Sequence, residues 1–287
     1  MSPSPGSEAP AGPTGIAALE STAPARLSPR KRARISRGVQ YAILIAAVVG
    51  FVVVTDWENV GAKVFNFSVA GEFVPKIPQY LLNTILYTLS AFVASIALGL
   101  ILALMKLSSV KPYRWIATVY IEFFRGIPAL LYVLTIAYAV PLALGVKIPS
   151  IYLKVAIALG MVSAAYMAES IRAGIQAVPK GQIEAARSLG MTQGQTLASV
   201  VIPQAFRIVL PPVTNEIILL TKDTSLIYLM GLSTGQFDLT KAGRDALTDA
   251  EGGLTALFLF GGCYLLLTIP LGFLTRRMER RFGKARA

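Results

Sequence analysis

The longest stretch of the chain without a charged residue covers residues 77–105 and reads IPQYLLNTILYTLSAFVASIALGLILALM. Two further uncharged stretches cover residues 126–146 and 252–275. About 20 predominantly apolar residues are enough for a helix to cross a bilayer. These stretches therefore predict an all-α membrane protein that crosses the bilayer several times.

The overall composition agrees with a membrane location. Of the 287 residues, 54% are hydrophobic and only 15% are charged. A soluble domain usually carries about 25% charged residues. The composition therefore excludes a soluble enzyme.

The residues that the chain lacks exclude several kinds of chemistry. It contains no histidine, which excludes histidine-based acid–base catalysis and histidine-ligated metal sites. Cys263 is the only cysteine, so no internal disulfide or thiolate cluster can form. The phosphate-binding pattern G-x-x-x-x-G-K-[ST] is also missing. We expect no metal and no cofactor, and any energy must come from an ion gradient or from another subunit.

The net charge of +12 is concentrated in two clusters beside apolar segments. One cluster precedes the first apolar run (Arg26, Arg30, Lys31, Arg32, Arg34, Arg37) and the other follows the last run (Arg276, Arg277, Arg280, Arg281, Lys284, Arg286). Basic clusters next to membrane spans are typical of cytoplasmic segments that lie against anionic lipid. We therefore predict that membrane lipid, and no nucleic acid, is the partner of these clusters.

Both ends of the chain are predicted to be tails. Residues 1–37 are rich in proline, alanine, glycine and serine, a composition that cannot bury enough apolar surface to fold. We predict a disordered basic cytoplasmic tail there and a shorter basic cytoplasmic tail over residues 277–287. Residues 38–57 are predicted to form a first membrane span. A cleaved signal peptide is the alternative, but residues 56–58 (DWE) do not form a small-residue cleavage site.

Five further spans are predicted from apolar runs, at residues 79–105, 117–144, 151–171, 208–232 and 254–275. Basic residues occur between spans two and three (Lys106, Lys111, Arg114) and between spans four and five (Arg172, Lys180, Arg187, Arg207). The positive-inside bias places both of these segments in the cytoplasm. Six spans then leave both termini in the cytoplasm, and the remaining segments face outward (residues 56–78, 145–150 and 233–253).

Residues 177–203 predict a helical hairpin between spans four and five. Pro179 fits a helix start, where a missing N–H costs nothing. The run from Glu184 to Leu189 is strongly helix-forming. Gly190 suits the left-handed position that ends such a helix.

The second helix of the hairpin begins with a capping-box pattern. Thr192 can cap its first turn, and Gln195 stands three residues later. We expect this helix to end at Pro203. The small side chains of Ala185 and Ala186 leave room for a partner surface to approach the hairpin closely.

The hairpin contains E-A-A, three residues, glycine, nine residues and an apolar-x-apolar-Pro ending, formed by Glu184, Ala185, Ala186, Gly190, Val200, Ile202 and Pro203. This pattern resembles the signature of the integral-membrane permease subunits of bacterial ABC importers. The resemblance implies that the hairpin docks into a groove of the ATP-hydrolysing subunit, with coupling residues Glu184, Ala185, Ala186 and Gly190. It also implies a five-helix, MetI-like type I permease core over residues 79–276, here preceded by one extra N-terminal span.

Four segments resemble the polar-amino-acid branch of these permeases, which includes histidine, glutamine, glutamate and arginine importers and some opine and ectoine systems: residues 121–128, 165–172, 210–212 and 222–226. Ile127 departs from the branch, whose members usually have threonine there. The resemblance implies a permease subunit, itself not an enzyme, that passes a polar amino acid or related zwitterion into the cytoplasm across the bacterial inner membrane. It also implies two ATP-binding subunits, a second permease subunit (a copy or a paralogue) and an extracytoplasmic solute-binding protein as partners.

Four polar or charged residues inside the predicted spans are candidates for the substrate pathway. Asn215, Glu216 and Asp223 lie on span five, and Glu122 lies on span three. Such residues are costly at membrane depth and are kept for a pathway, a partner or a structural pair. Glu216 and Asp223 are seven residues apart, so they share a helix face.

Structural ion pairs are the alternative interpretation of these charges. Glu216 could pair with Arg125 or Lys222. Arg125 also lies three residues after Glu122, and the same spacing separates Glu169 from Arg172, so each of these pairs could form on one helix face.

Two other functions are compatible with the spans. An ion-coupled secondary amino acid transporter would act alone, with Glu216 or Asp223 as its proton site. A non-transporting anchor or signalling subunit would show no substrate-dependent ATP hydrolysis in an assembled complex. Gradient-driven uptake by the purified chain alone would distinguish the first of these from an ABC permease.

Overall fold

The structure, a computed structural model, describes residues 29–248 and 253–283, and the described residues form helices but no strand. The chain divides into two units, residues 1–56 and residues 57–287. The described part of the first unit is a single helix. The second unit contains all the remaining described helices.

The helix of the first unit is α1, Pro29–Val54, and none of its residues is buried. It begins at Pro29 rather than at residue 38, so residues 29–37 of the predicted disordered tail are helical. Proline suits the first turn of a helix, and arginine and lysine are good helix formers. The earlier part of the predicted tail, residues 1–28, lies outside the described residues.

The second unit consists of helices joined by short turns. Before the hairpin these are α2 (Trp57–Val64), α3 (Phe67–Phe73), α4 (Ile77–Leu107), α5 (Lys111–Gly126), α6 (Ala129–Leu134), α7 (Val140–Leu144), α8 (Ile151–Val155) and α9 (Met161–Gln176). From the hairpin onward they are α10 (Lys180–Ser188), α11 (Gln193–Thr196), α12 (Ile202–Asp223), α13 (Leu239–Thr248) and α14 (Gly253–Gly283). Three π-helical turns, Thr135–Ala139, Ala156–Gly160 and Leu197–Val201, join α6 to α7, α8 to α9 and α11 to α12.

Five helical stretches of the described chain are long and apolar enough to cross a membrane: Pro29–Val54, Trp57–Leu107, Ile151–Gln176, Gln193–Met230 and Gly253–Arg281. A sixth span results if the bent pair Lys111–Gly126 and Ala129–Leu144 is counted as one. The prediction of an all-α fold with six spans is thereby confirmed. The last helix ends at Gly283 rather than near residue 275, so the beginning of the predicted tail at residues 277–287 is helical.

The second helix of the hairpin does not end at Pro203, contrary to the sequence prediction. It continues through α12 and a 3₁₀ segment, Thr224–Met230, as one stretch that begins at Gln193. Proline lacks the N–H that an uninterrupted α-helix needs. The π-turn at Leu197–Val201 changes the hydrogen-bond spacing just before Pro203, and such a turn is a common way to absorb a local break in a helix.

Small residues hold α4 and α9 close together. A Cβ atom on Gly99 of α4 would lie 2.8 Å from the Cβ of Met167 on α9, and a Cβ on Gly160 would lie 2.8 Å from the Cβ of Ala94. Small residues let membrane helices approach each other closely enough for extensive van der Waals contact. The buried small residues of this contact are Ala91, Ser95, Gly99 and Ala103 on one side and Gly160, Ala164 and Ala168 on the other.

The loop before α13 is held by polar side chains of α4. Asn83 donates hydrogen bonds to the carbonyls of Gly235 (3.2 Å) and Phe237 (2.8 Å). The hydroxyl of Tyr87 donates to the carbonyl of Gln236 (2.7 Å). These bonds satisfy carbonyls at the end of a short 3₁₀ turn, Thr234–Gln236, and fix this segment against the bundle.

Asp238 caps α13, which lies in the segment 233–253 that was expected to face outward. Its buried carboxylate accepts hydrogen bonds from the backbone N–H groups of Thr240 (3.1 Å) and Lys241 (3.0 Å) and from the hydroxyl of Tyr264 (3.3 Å). Burial raises the pKa of Asp238 above its ordinary value, and these hydrogen bonds offset only part of that effect.

We expect Gly99→Ala to destabilise the protein, because the added methyl group must displace Met167 at a contact of 2.8 Å. Overpacking of this kind costs about 1–3 kcal/mol. The matched control is Gly262→Ala on α14, where a Cβ meets nothing within 4 Å. Thermal unfolding in detergent should show a lower midpoint for Gly99→Ala only, and equal midpoints would show that the contact between α4 and α9 tolerates extra volume.

The raised pKa of Asp238 predicts a pH dependence of stability. Folding takes up a proton between the ordinary pKa and the raised pKa, so the wild type gains stability as the pH falls through that window. Asp238→Asn keeps one accepting oxygen but cannot titrate. Unfolding midpoints measured from pH 8 down to pH 4 should therefore rise for the wild type relative to the variant. If the difference between the unfolding midpoints of the two proteins stayed the same at every pH, the prediction would be contradicted.

Candidate functional site

The predicted third span, residues 117–144, is broken rather than straight. α5 and α6 are bent by 102°, and the two residues between them, Ile127 and Pro128, have extended backbones with ψ of 135° and 128°. The ring of Pro128 disfavours a helical conformation at Ile127 and removes one N–H donor. The proline therefore accounts for the position of the break.

A cavity of about 290 Å³ lies beside this break. Ile127 within the break and Ala129 just after it form one part of the wall, and the remaining wall comes from the helical stretches that contain α9 and α12. The cavity is lined by Ile127, Ala129, Leu159, Val162, Ser163, Tyr166, Glu216, Leu219 and Asp223.

Glu216 is a buried carboxylate in the wall of this cavity. It is 8% exposed and accepts a hydrogen bond from the hydroxyl of Ser163. Within the described parts of the chain, no lysine or arginine lies within ion-pair distance of Glu216. The pairing with Arg125 or Lys222 therefore does not form. An ionised carboxylate is costly to bury without a cation, so at this position Glu216 either takes up a proton or binds a cation from outside the chain.

Asp223 lines the same cavity two turns further along α12. The predicted shared face of Glu216 and Asp223 is thus confirmed. Asp223 is exposed, whereas Glu216 is buried. The two carboxyl groups therefore lie at two depths of one cavity, an arrangement that can bind an ammonium or guanidinium group.

The other two predicted pathway residues do not reach the cavity. Asn215 is exposed on α12 and Glu122 is exposed on α5, and neither residue lines the cavity wall. Glu122 and Arg125 do not form the ion pair that their spacing allowed. The guanidinium of Arg125 instead lies 5.7 Å from the ring centroid of Tyr166, which is within the range of a cation–π interaction.

Ser163 and Tyr166 were not identified from the sequence. Each had a weak signal, because Ser163 is a polar residue within a largely apolar span and Tyr166 follows it by three residues, on the same helix face. Their relation to Glu216 depends on how α9 packs against α12, which no local pattern encodes.

Glu169 forms the predicted ion pair with Arg172 at 2.6 Å, and Lys106 joins it at 2.7 Å. Lys106 stands at the end of α4, so the pair on α9 becomes a three-residue cluster between two helices. Arg172 also donates a hydrogen bond to Gln176, the last residue of α9, at 2.6 Å. This cluster ties α4 to the end of α9 from which the hairpin emerges.

The turn of the hairpin has the predicted left-handed glycine, because Gly190 has a φ of +83°. The N–H of Met191 donates to the carbonyl of Ala186 (3.2 Å), and the N–H of Gly190 donates to the carbonyl of Arg187 (3.0 Å). These bonds satisfy carbonyls that the end of α10 would otherwise leave unpaired.

The predicted capping box at the start of α11 is also formed. The hydroxyl oxygen of Thr192 accepts from the N–H of Gln195 (3.3 Å), and the side-chain oxygen of Gln195 accepts from the N–H of Thr192 (2.8 Å). Both ends of the turn are therefore fixed by local hydrogen bonds.

The hairpin presents some of its predicted coupling residues to solvent and buries another. Glu184 and Ala185 are exposed, whereas Ala186 is only 5% exposed and packs inside the hairpin. The expectation that both alanines lie open to a partner therefore holds for Ala185 alone. Leu189 is 83% exposed and was not identified from the sequence. The sequence signal that could have identified Leu189 is the presence of an apolar residue directly before the glycine that ends α10.

The base of the hairpin is packed against the membrane helices. Val178, Val201 and Ala205 form a buried apolar cluster, with Ile183 of α10 packed against it. Burial of such side chains contributes about 1.5–3 kcal/mol each. The hairpin, the end of α9 and the start of α12 therefore form one packed body.

Comparisons with known proteins agree with this architecture. Residues 95–284 match the family described as "Binding-protein-dependent transport system inner membrane component". Two relatives come from Bacillus subtilis (strain 168). The arginine transport system permease protein ArtQ is 35% identical over 212 residues, which cover 72% of this chain and 94% of ArtQ. The probable glutamine ABC transporter permease protein GlnM is 37% identical over 205 residues, which cover 71% of this chain and 91% of GlnM.

A solved structure of an amino acid ABC transporter with histidines also resembles this chain. It has a TM-score of 0.68 and 35% sequence identity, and the match covers 75% of this chain and 98% of that chain. The matched portion of this chain folds as an ABC permease.

Membership of this family answers several questions that the sequence left open. Its members are transport components that work with ATP-binding subunits and a binding protein, so the ion-coupled transporter acting alone is not favoured. ATP hydrolysis belongs to a separate subunit, and the chain is a multi-pass inner-membrane protein. The chain belongs to the family of binding-protein-dependent inner-membrane transport components, as the permease subunit of an ABC importer for amino acids.

Proposed function

We propose that the cavity beside the helix break holds the positively charged part of the transported amino acid. Glu216 and Asp223 supply two carboxyl groups, Ser163 supplies a hydroxyl group, and Tyr166 supplies an aromatic ring that also contacts Arg125. Carboxylates bind ammonium and guanidinium groups through charge-assisted hydrogen bonds, and aromatic rings attract cations.

One observation carries the proposal. Glu216 is buried within the described chain without a lysine or arginine partner, and it faces a cavity rather than packed protein. A structural carboxylate is normally paired with a cation, because an isolated buried charge would be neutralised. A substrate cation would supply the missing charge only while it occupies the site.

The relatives are named for basic, neutral and acidic amino acids, so their names alone do not select one kind of side chain. ArtQ is named for arginine, and the similar solved structure was determined with histidines. GlnM is named for glutamine, whose only cation is its α-ammonium group. Because two carboxylates line the cavity, we propose that basic amino acids are preferred and that neutral polar amino acids are transported less efficiently.

The hairpin at residues 177–203 is proposed to couple this site to ATP hydrolysis. Exposed Glu184, Ala185 and Leu189 would contact the ATP-binding subunit, Gly190 would set the angle of the turn, and Ala186 would hold α10 against the rest of the hairpin. The proposal is supported by the packed base of the hairpin, which joins it to α9 and α12.

The proposed transporter contains two ATP-binding subunits, two permease subunits (two copies of this chain or this chain with a paralogue) and an extracytoplasmic solute-binding protein. We also propose that both termini lie in the cytoplasm. The positive-inside bias supports this orientation, because arginine and lysine cluster at the start of α1 and at the end of α14.

Glu216→Gln keeps the shape of the side chain and removes its charge. A charge-assisted hydrogen bond contributes about 1.5–3 kcal/mol, so we expect arginine uptake to fall at least about tenfold. Glutamine uptake should fall less, and basal ATP hydrolysis should be unchanged. The measurement is uptake of labelled amino acids into proteoliposomes that contain the complete transporter and its binding protein.

The matched control is Glu122→Gln, the same substitution at an exposed carboxylate that does not line the cavity. It should leave arginine uptake unchanged. Failure of Glu216→Gln to assemble would identify Glu216 as a structural residue. Unchanged uptake of every amino acid would place it outside the pathway.

Gly190→Val should change the angle of the hairpin and weaken docking of the ATP-binding subunit. Valine strongly resists the positive φ of +83° at this position, although a Cβ there meets nothing within 4 Å. Gly194→Val on α11 is the control, because a Cβ there also meets nothing within 4 Å and its φ is not positive. We expect stimulated ATP hydrolysis and uptake to fall severalfold for Gly190→Val only, with little change in the thermal stability of the permease. Normal transport by Gly190→Val would contradict the proposed coupling.

Glu184→Lys reverses the charge of an exposed hairpin residue. It should leave the permease folded and weaken docking of the ATP-binding subunit. Co-purification of that subunit with the variant permease measures the effect, and wild-type recovery would show that Glu184 does not contribute to docking.

A further inference from the structure

An apolar groove of about 500 Å³ runs between α4, α9 and α12 on the side of the membrane that carries the hairpin. On α4 and on α9 the lining residues are four positions apart (Ile96, Leu100 and Leu104; Met167, Ile171 and Ile175). α12 forms the other wall (Ile202, Ala205, Phe206, Val209, Leu210, Val213). The groove is separate from the cavity that contains Glu216, with which it shares no residue.

The lining of the groove fits hydrocarbon better than another helix. Membrane helices pack against each other through small residues that allow their backbones to approach. Here the outward-facing side chains are large, with Leu104 55% and Phe206 62% exposed, and the small residue Ala205 is buried. The lining also offers no polar partner that would retain water. A flexible acyl chain can fill such a surface.

Arg207 supplies the second feature of the site. It is exposed on α12, next to Phe206. Over residues 29–248 and 253–283, no carboxylate lies within ion-pair distance of Arg207. The groove-lining residues of α12 run from Ile202 to Val213, and Arg207 lies between them along the helix. A guanidinium at the edge of the hydrocarbon region needs an anion, and a phosphate is the group that it binds best there.

We propose that a diacyl phospholipid occupies this groove, with one acyl chain between α4 and α12 and its phosphate against Arg207. The groove ends at Ile202, at the base of the hairpin, so the lipid lies beside the packed body that joins the hairpin to α9 and α12.

Native mass spectrometry of the full chain in detergent tests the proposal, with dioleoyl phosphatidylglycerol as the added lipid. We expect one tightly retained lipid per chain, and no retention of dioleoylglycerol, which has the same acyl chains without the phosphate. Arg207→Gln should weaken retention about tenfold, and Arg207→Lys should largely preserve it. Leu100→Trp should also weaken retention by filling the groove.

Two matched controls identify the groove as the site. Arg114→Gln removes an exposed charge from α5, and Leu89→Trp enlarges an exposed residue of α4 outside the groove. Neither should change retention. Equal weakening by Arg207→Gln and Arg114→Gln, or full retention by Arg207→Gln, would overturn the proposal. So would an oxidative disulfide between two copies of a Phe206→Cys variant, which would place a second chain on the groove.

Discussion

The close approach of α4 to α9 is the constraint on which the other features of the second unit depend. At Gly99 and Gly160 the two helices leave no room for a Cβ atom. The position of α9 is thereby fixed, and α12 packs against α9 at a similarly close contact, where Gly174 faces Val209. Both the cavity and the hairpin are built on α9 and α12. Van der Waals contact between small residues, rather than the hydrophobic effect, holds such helices together in a bilayer.

The distribution of side-chain sizes follows from the same physics. In lipid, large apolar residues gain little from facing protein, so they remain at the bilayer surface while small residues form the helix contacts. Several large side chains are nevertheless fully buried between the helices, among them Tyr87, Leu159, Leu220 and Phe260. On the hairpin side, the large residues instead leave the open groove between α4 and α12. A low-charge composition therefore predicts membrane location, but the sizes of individual residues decide which helices touch.

Local features were predictable from the sequence, and features that depend on packing between helices were not. Gly190 and the Thr192–Gln195 box follow from hydrogen bonding within a few residues, and the shared face of Glu216 and Asp223 follows from helical periodicity. The bond between Ser163 and Glu216 joins two spans whose contact no local pattern specifies. Pro203 was misjudged because a π-turn, which leaves no clear sequence signal, lets the helix continue through it. α12 also continues through Pro211 and Pro212, whereas the helix breaks at Pro128, so a proline in the sequence does not by itself decide between the two outcomes.

The helical stretch from Gln193 to Met230 has a mechanical consequence. It carries the second arm of the hairpin at one end and Glu216 within the membrane, and 23 residues between them correspond to about 35 Å along a helix axis. A helical stretch of that length acts as a lever when it moves as one body, and Pro203, Pro211 and Pro212 are the positions at which it can bend instead. Under the proposed coupling, a tilt of only about 5° at the hairpin would shift the cavity wall by about 3 Å, roughly the length of a hydrogen bond. A movement of that size at the ATP-binding subunit is enough to make or break the contacts of a bound cation without any unfolding of the helix.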